Sequence, residues 1–155
     1  MNALAQGPAT AIAADEKQYA TFHVGELLLG VDIRVVQEIN RQVDVTRVPN
    51  APPHVRGVIN LRGEVATVID LRTVLGLPAA ESTRDTRNLI VHSQGEAIGL
   101  WVDSIADIVT VAGGDVLATP ANVNGVDGKF FLGVSPQESK LLVLLDVERV
   151  LTDQD

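Results

Sequence analysis

Cysteine is absent from this chain of 155 residues, which excludes a disulfide framework, a thiol nucleophile and any cysteine-ligated zinc or iron–sulfur centre. Aromatic side chains are nearly absent as well: one Trp, one Tyr and three Phe, so an apolar fraction of 46% has to build its core from aliphatics. Basic charge is scarce. Twelve Lys and Arg against twenty Asp and Glu give a net charge of −8, which repels phosphate backbones, and a nucleic-acid barrel would need a basic stripe with stacking aromatics. No apolar run approaches the roughly 18 residues of a membrane-spanning helix, and the N-terminus lacks the basic start and apolar stretch of a signal peptide. These absences point to a cytoplasmic protein.

What is present is β-branched: 23 Val and 9 Ile, a composition that favours strands. Charge is unevenly spread, with residues 1–87 carrying 9 basic and 10 acidic side chains and residues 88–155 carrying 3 and 10. The Ala-rich start, residues 1–16, has a Gly-Pro break and reads as a flexible tail. From Tyr19, YATFHV, a Gly25-Glu26 turn and ELLLGV form a hairpin. Residues Ile33 to Ile39 have near-helical apolar spacing and predict a short helical turn. VDVTRV follows as a strand, stopped by Asn50-Ala51-Pro52-Pro53. GVINLRGEVATVIDLRTVLGL then gives two strands around Arg62-Gly63-Glu64 and a short helix, with Asp70 as its N-cap and Gly76 at its end. The polar stretch Pro78 to Thr86 is the candidate linker, after which NLIVHS, Gln94-Gly95 and EAIGLWV repeat the hairpin pattern.

The repetition goes further. Setting Gly57–Leu75 against Gly133–Leu151 without a gap gives five identities in 19 positions, including Gly57/Gly133, Val58/Val134 and Asp70/Asp146. Gly25-Glu26 matches Gly95-Glu96 at an offset of 70, against 76 for the later pair. Two similar all-β units follow, each of about five short strands that should close into a barrel to remove exposed edges. The matched strands are apolar on both faces, so the second face needs a cover: the sister barrel, a helix or another protein.

Catalytic constellations are missing: no phosphate loop, no GxSxG elbow, no HExxH and no calcium loop. His23, His54 and His92 stand apart without ligand spacing. Asp70 and Asp146 are explained as twin N-caps rather than as a carboxylate pair, and Trp101 as core. No enzyme, cofactor or metal site is expected, and an enzyme or small-ligand binder would need convergent polar groups in a pocket. Arg62, at a hairpin tip inside an apolar run, and Glu38, a charge bounded by apolar residues in VVQEI, stand out.

The strings GVDIRVVQEI, NAPPHV and VRGVINLRGEVATVIDLRTVLGL, spanning Tyr19 to Leu151, resemble the CheW family of chemotaxis coupling proteins. The resemblance implies an all-β fold of two SH3-like five-stranded barrels with short helices. It places a first barrel at about 17–77 plus the C-terminal segment and a second at about 87–145. It implies a non-enzymatic adaptor that couples the cytoplasmic tips of chemoreceptors to the regulatory domain of the histidine kinase CheA. That adaptor would be cytoplasmic and recruited to membrane-associated receptor arrays. An adaptor of a pili or surface-motility pathway is the alternative. Val36, Glu38 and Arg62 match positions tied to receptor coupling, and Gly57 matches one tied to kinase binding. Glu38 pairs either with Arg62 or with a receptor arginine; both stay open. The Arg-bearing first unit and acidic second unit leave room for head-to-tail self-association in arrays.

Overall fold

The computed structural model describes residues 15–41 and 45–152. Strand β1 (Glu16–Val24) turns into β2 (Leu27–Asp32), as the hairpin pattern predicts. The Asp32 carboxylate then accepts from the Arg34 amide at 2.9 Å and caps a single 3₁₀ turn over Ile33–Val35. The helical expectation for Ile33 to Ile39 is cut short there. Val36–Asn40 is strand β3, whose half-buried and exposed residues alternate with period two. The expected strand VDVTRV reduces, within the described residues, to one bridge between Thr46 and Val58; Val43 and Asp44 lie outside them.

Next come β4 (Val55–Leu61), β5 (Glu64–Asp70), helix α1 (Leu71–Leu75), β6 (Arg87–Ser93), β7 (Glu96–Val102) and β8 (Ser104–Ala112). The short pair β9 (Asn122–Val123) and β10 (Val126–Asp127), then β11 (Phe131–Pro136), β12 (Leu141–Leu145) and helix α2 (Val147–Thr152) complete the chain. Asp70 Oδ1 accepts from the Arg72 amide at 3.0 Å and Asp146 Oδ1 from the Arg149 amide at 3.1 Å, so both are the helix caps expected of them. Gly76 ends α1 in the left-handed conformation, φ 79°.

The strands form two five-stranded sheets, β11-β12-β2-β1-β8 and β3-β6-β7-β5-β4. The second is one continuous span inserted between the second and third strands of the first. This departs from the expected boundaries, because β1 and β2 join β8, β11 and β12, while β6 and β7 join β3, β4 and β5. Parallel pairing of β2 with β12 and of β7 with β5 makes the exchange. Repeat-equivalent strands nevertheless occupy equivalent places, so the two halves have traded hairpins. Only the last two residues assigned to the tail are described: Glu16 pairs with Ala112, and the Asp15 carbonyl accepts from Gly113.

Each sheet is closed into a barrel by the segment that follows its edge strand. Thr46 bridges Val58 on β4, and Leu117 bridges Val134 on β11, the same position in the two repeats. The residue before each bridge is the repeated glycine. A Cβ on Gly57 (φ 147°) would sit 2.2 Å from the Thr46 carbonyl oxygen, and one on Gly133 would sit 2.6 Å from Val116 Cγ1. Both lie beside a register shift in their hairpin. The glycine is where the closing segment crosses, which only a residue without a side chain permits.

Alternation settles the covering of the two apolar faces. Ala66 and Val68 of β5 point into one barrel with Ile59, Leu61 and Trp101, while Leu142 and Leu144 of β12 fill the other with Tyr19 and Val111. Ile69, Val143 and Leu145 face instead into a larger shared core with Phe22, Leu29, Leu89 and Leu100. Helix α1 adds Leu71 and Leu75 to it. The cover is therefore the sister barrel and a helix, and each fully buried Leu, Val or Phe contributes about 1.5–3 kcal/mol. We call the inserted barrel, residues 33–103, the arginine barrel, since its eight basic residues are all Arg, balanced by eight acidic ones. In residues 15–32 and 104–152, the acidic barrel, four basic residues face ten acidic.

Candidate partner-binding site

Strand β3 is an edge strand of the arginine barrel. Its half-buried residues are Val36, Glu38 and Asn40; Gln37 and Ile39 are exposed. Val36 packs against the shared core. Glu38 is only partly covered and pairs with Arg62, with the Asn40 amide 3.4 Å from its other oxygen. The Arg62 guanidinium bonded to it holds the Glu38 carboxyl below the ordinary carboxylate range.

Arg62 reaches Glu38 from the tip of the β4–β5 hairpin. The strands are joined by Arg62 and Gly63 with φ of 51° and 92°, the positive pair that a tight I′-type turn requires. The Gly63 amide donates to Asn60 Oδ1 at 2.9 Å and fixes the turn. The Arg62 side chain is 73% exposed and that of Glu38 23%. The structure thus brings Glu38 and Arg62 together, while Val36, across a register shift from Glu38, turns to the other face of the strand and packs on the shared core.

Gly57 is not part of this surface. It is buried, and the space a side chain would take is filled by the chain's own Val45 and Thr46. Trp101, 6% exposed, is core as expected. The His23 ring meets Ser104 Oγ and Lys140 Nζ, each at 3.2 Å, and burial followed by the Lys140 charge lowers its pKa. Among the described residues no group of His, Asp and Glu could hold a metal ion, and no helix is long and apolar enough to cross a membrane.

Sequence reasoning passed over two arginines. Arg72, second residue of α1, grips Asp103 through Nε at 3.0 Å and Nη2 at 2.6 Å, while the same carboxylate accepts from the Gly25 amide at 2.8 Å. Burial works against the charged Asp103, yet the Arg72 and Gly25 hydrogen bonds and the Arg72 charge outweigh it and lower the pKa; Arg72 is raised by the same bond. This ties the helix of one barrel to the β1–β2 turn of the other. Arg56, in the string VRGV, lies 4.1 Å over the Trp101 ring and 3.0 Å from Asp70. The only signal in sequence was a charge within an apolar run.

With that geometry in place, the comparisons decide the family. The CheW-like domain matches residues 18–155. The chain belongs to the CheW-like family. It is 34% identical to the chemotaxis protein CheW of Rhizobium meliloti (strain 1021) over 141 residues, 90% of either chain. It is 36% identical to that of Bacillus subtilis (strain 168) over 121 residues, 78% of either. Among solved structures, the scaffolding protein TtCheW of Thermoanaerobacter tengcongensis superposes with a TM-score of 0.81 at 28% identity, covering 88% of this chain and 92% of that one. Two SH3-like barrels and a chemotaxis coupling role are thereby the fold and function of this CheW-like chain; the pili or surface-motility alternative is not favoured.

Proposed function

We propose that this chain acts without catalysis, bridging the cytoplasmic tips of chemoreceptors to the regulatory domain of the histidine kinase CheA, and that Val36, Glu38 and Arg62 form its receptor-contacting patch. The supporting observation is Arg62 itself. An arginine held at φ 51°, where Asn or Gly costs about 1 kcal/mol less, and kept 73% exposed, is retained for something other than the fold. Glu38 orients one side of its guanidinium and leaves a planar fork to accept a carboxylate or helix-end carbonyls. Val36 supplies apolar area on the same strand. Exchange of the Glu38 bond for a partner's bond gives two arrangements of the β4–β5 tip, which an adaptor needs if receptor state is to bias the kinase.

Gly57 supports kinase binding in this reading by holding the closing segment Val45–Thr46 in place, not by touching the partner. The chain would then work on the cytoplasmic side of membrane-associated arrays. Individually weak contacts gain strength there by repetition, self-association among them.

The test is calorimetric titration of the full chain against a receptor cytoplasmic fragment and, separately, the CheA regulatory domain. Saturable binding to both, with Arg62→Ala weakening only the receptor, supports the reading. Unchanged receptor affinity in Arg62→Ala removes Arg62 from the contact, and binding to neither partner removes the bridge.

A further inference from the structure

The end of the arginine barrel away from Arg62 carries a second arginine built into a rigid frame. Arg56 stands near the start of β4 and Arg62 just past its end, about 20 Å apart along an extended strand. Trp101, at the end of β7, plugs this end of the barrel, and its register partner on β5 is Asp70. Arg56 lies on the Trp101 face and bonds through Nη1 to Asp70 Oδ2. Asp70 is itself fixed: its side chain is 7% exposed, its Oδ1 takes the Arg72 amide, and its own amide donates to the His54 carbonyl at 2.8 Å. The guanidinium is thus held in orientation on two sides while 34% of the side chain stays exposed.

It lines a cleft of about 290 Å³ with Asp70, Arg47, Val45, Pro53 and Val55. Arg47 is exposed and has no ion pair among the described residues. Among the described residues that line it, two guanidinium groups face one carboxylate, an excess of one positive charge on a chain whose net charge is −8. Nor does the barrel architecture demand this device. The repeat-equivalent positions in the acidic barrel keep the carboxylate as Asp146 but hold Leu132 and Asp32 where Arg56 and Trp101 stand, and that barrel closes in the same way.

We propose that this cleft is a second docking point, which receives one Asp or Glu side chain from a protein partner. A pre-oriented fork with donors to spare recognises a carboxylate in bidentate fashion. Val45, Pro53 and Val55 accommodate the aliphatic stem of the acidic residue or an apolar neighbour. The single excess charge fits a monoanion, and the buried Asp70 opposes a phosphate dianion. The choice of a protein partner rests on the adaptor reading; the recognition of a carboxylate does not.

The test is titration of the full-length ¹⁵N-labelled chain with acetyl-Leu-Glu-Leu-amide, followed by NMR, with the Gln peptide and inorganic phosphate as parallel probes. Saturable shifts of the Trp101 indole N–H and Arg56 Nε–H are expected with the Glu peptide and not with the Gln peptide. They should weaken several-fold in Arg47→Ala, whose exposed side chain can be lost without unfolding, and vanish in Arg56→Lys, which keeps the charge but loses the fork. Equal shifts with the Gln peptide, shifts confined to other arginines, or tighter binding of phosphate would each overturn the assignment. Because neither receptor nor kinase is in the sample, failure here is distinguishable from failure of the bridging reading.

Discussion

The two barrels share a strand order and differ in what each puts at equivalent positions. Closure is the same in both: a glycine, a register shift and a one-residue bridge from the segment after the edge strand. The helix ties have the same layout with opposite chemistry. Arg72 of α1 clasps Asp103 beside the β1–β2 turn, whereas Glu148, its repeat equivalent in α2, accepts from Ser93 Oγ at 2.7 Å and Gln94 Nε2 at 3.2 Å at the β6–β7 turn. At the barrel ends the likeness stops. Duplication preserved the groups that shut each barrel and released those that face outward, so the differences between the barrels mark the surfaces available to partners.

Closing the barrels is where substitution should cost most. Gly57→Ala introduces both a clash with backbone and an unfavourable φ, and should lower unfolding free energy by about 2–4 kcal/mol. Gly133→Ala meets the movable Val116 side chain first and should cost about 1–3 kcal/mol. Urea denaturation of the two variants checks the order, and equal losses would mean that the closures are not as different as their geometry indicates.

The helix ties come next. Arg72→Ala leaves a partly buried carboxylate without its bidentate partner and should cost about 1.5–3 kcal/mol, against less than about 1 for the exposed Glu148→Ala. The same tie has a pH signature. The folded pKa of Asp103 lies below its ordinary value of 3.8, so its contribution is fully present above the unfolded pKa and disappears as pH falls through the folded one. Stability measured from pH 5 downward should therefore fall less steeply in Asp103→Asn than in the parent. An unchanged slope would show that the ion pair carries no folding free energy.

The smallest stability effect is expected at the turn with the largest functional one. In Arg62→Asn, relief of the left-handed arginine offsets the loss of an exposed ion pair, so stability should stay within about 0.5 kcal/mol while receptor affinity falls. A stability loss above about 2 kcal/mol would instead make Arg62 a fold residue.

Much of this was legible beforehand because it is local. The hairpins, the caps at Asp70 and Asp146 and the buried Trp101 follow from residue type and spacing. The partners of the hairpins do not. The inward faces of β5 and β12 are aliphatic on both sides, so either hairpin satisfies them, and no nearby residue encodes a parallel pairing with a distant strand. The same limit applies at the site. Arg62 and Glu38 each stand out as a charge in an apolar setting, yet nothing over the 24 positions that separate them specifies a bond. Gly57 is a point of close approach, but the approaching group is the chain's own Thr46 carbonyl, 11 residues away in sequence. Nothing around Arg56 specifies that Trp101, 45 positions further on, lies beneath it.

The traded hairpins also set a timetable for synthesis. The arginine barrel is continuous and complete once Val102 has emerged. The β1–β2 hairpin is made first, but Leu142, the residue that pairs with Leu28, arrives 114 residues later, roughly 6–23 s at ordinary rates of translation. Throughout that interval one edge of β2 stays unpaired, and the apolar inner face of the hairpin gains cover only once the arginine barrel and then β8 have been made. The part of the chain with the most to lose from an early encounter with another ribosome's product is thus the first to be exposed and the last to be sealed.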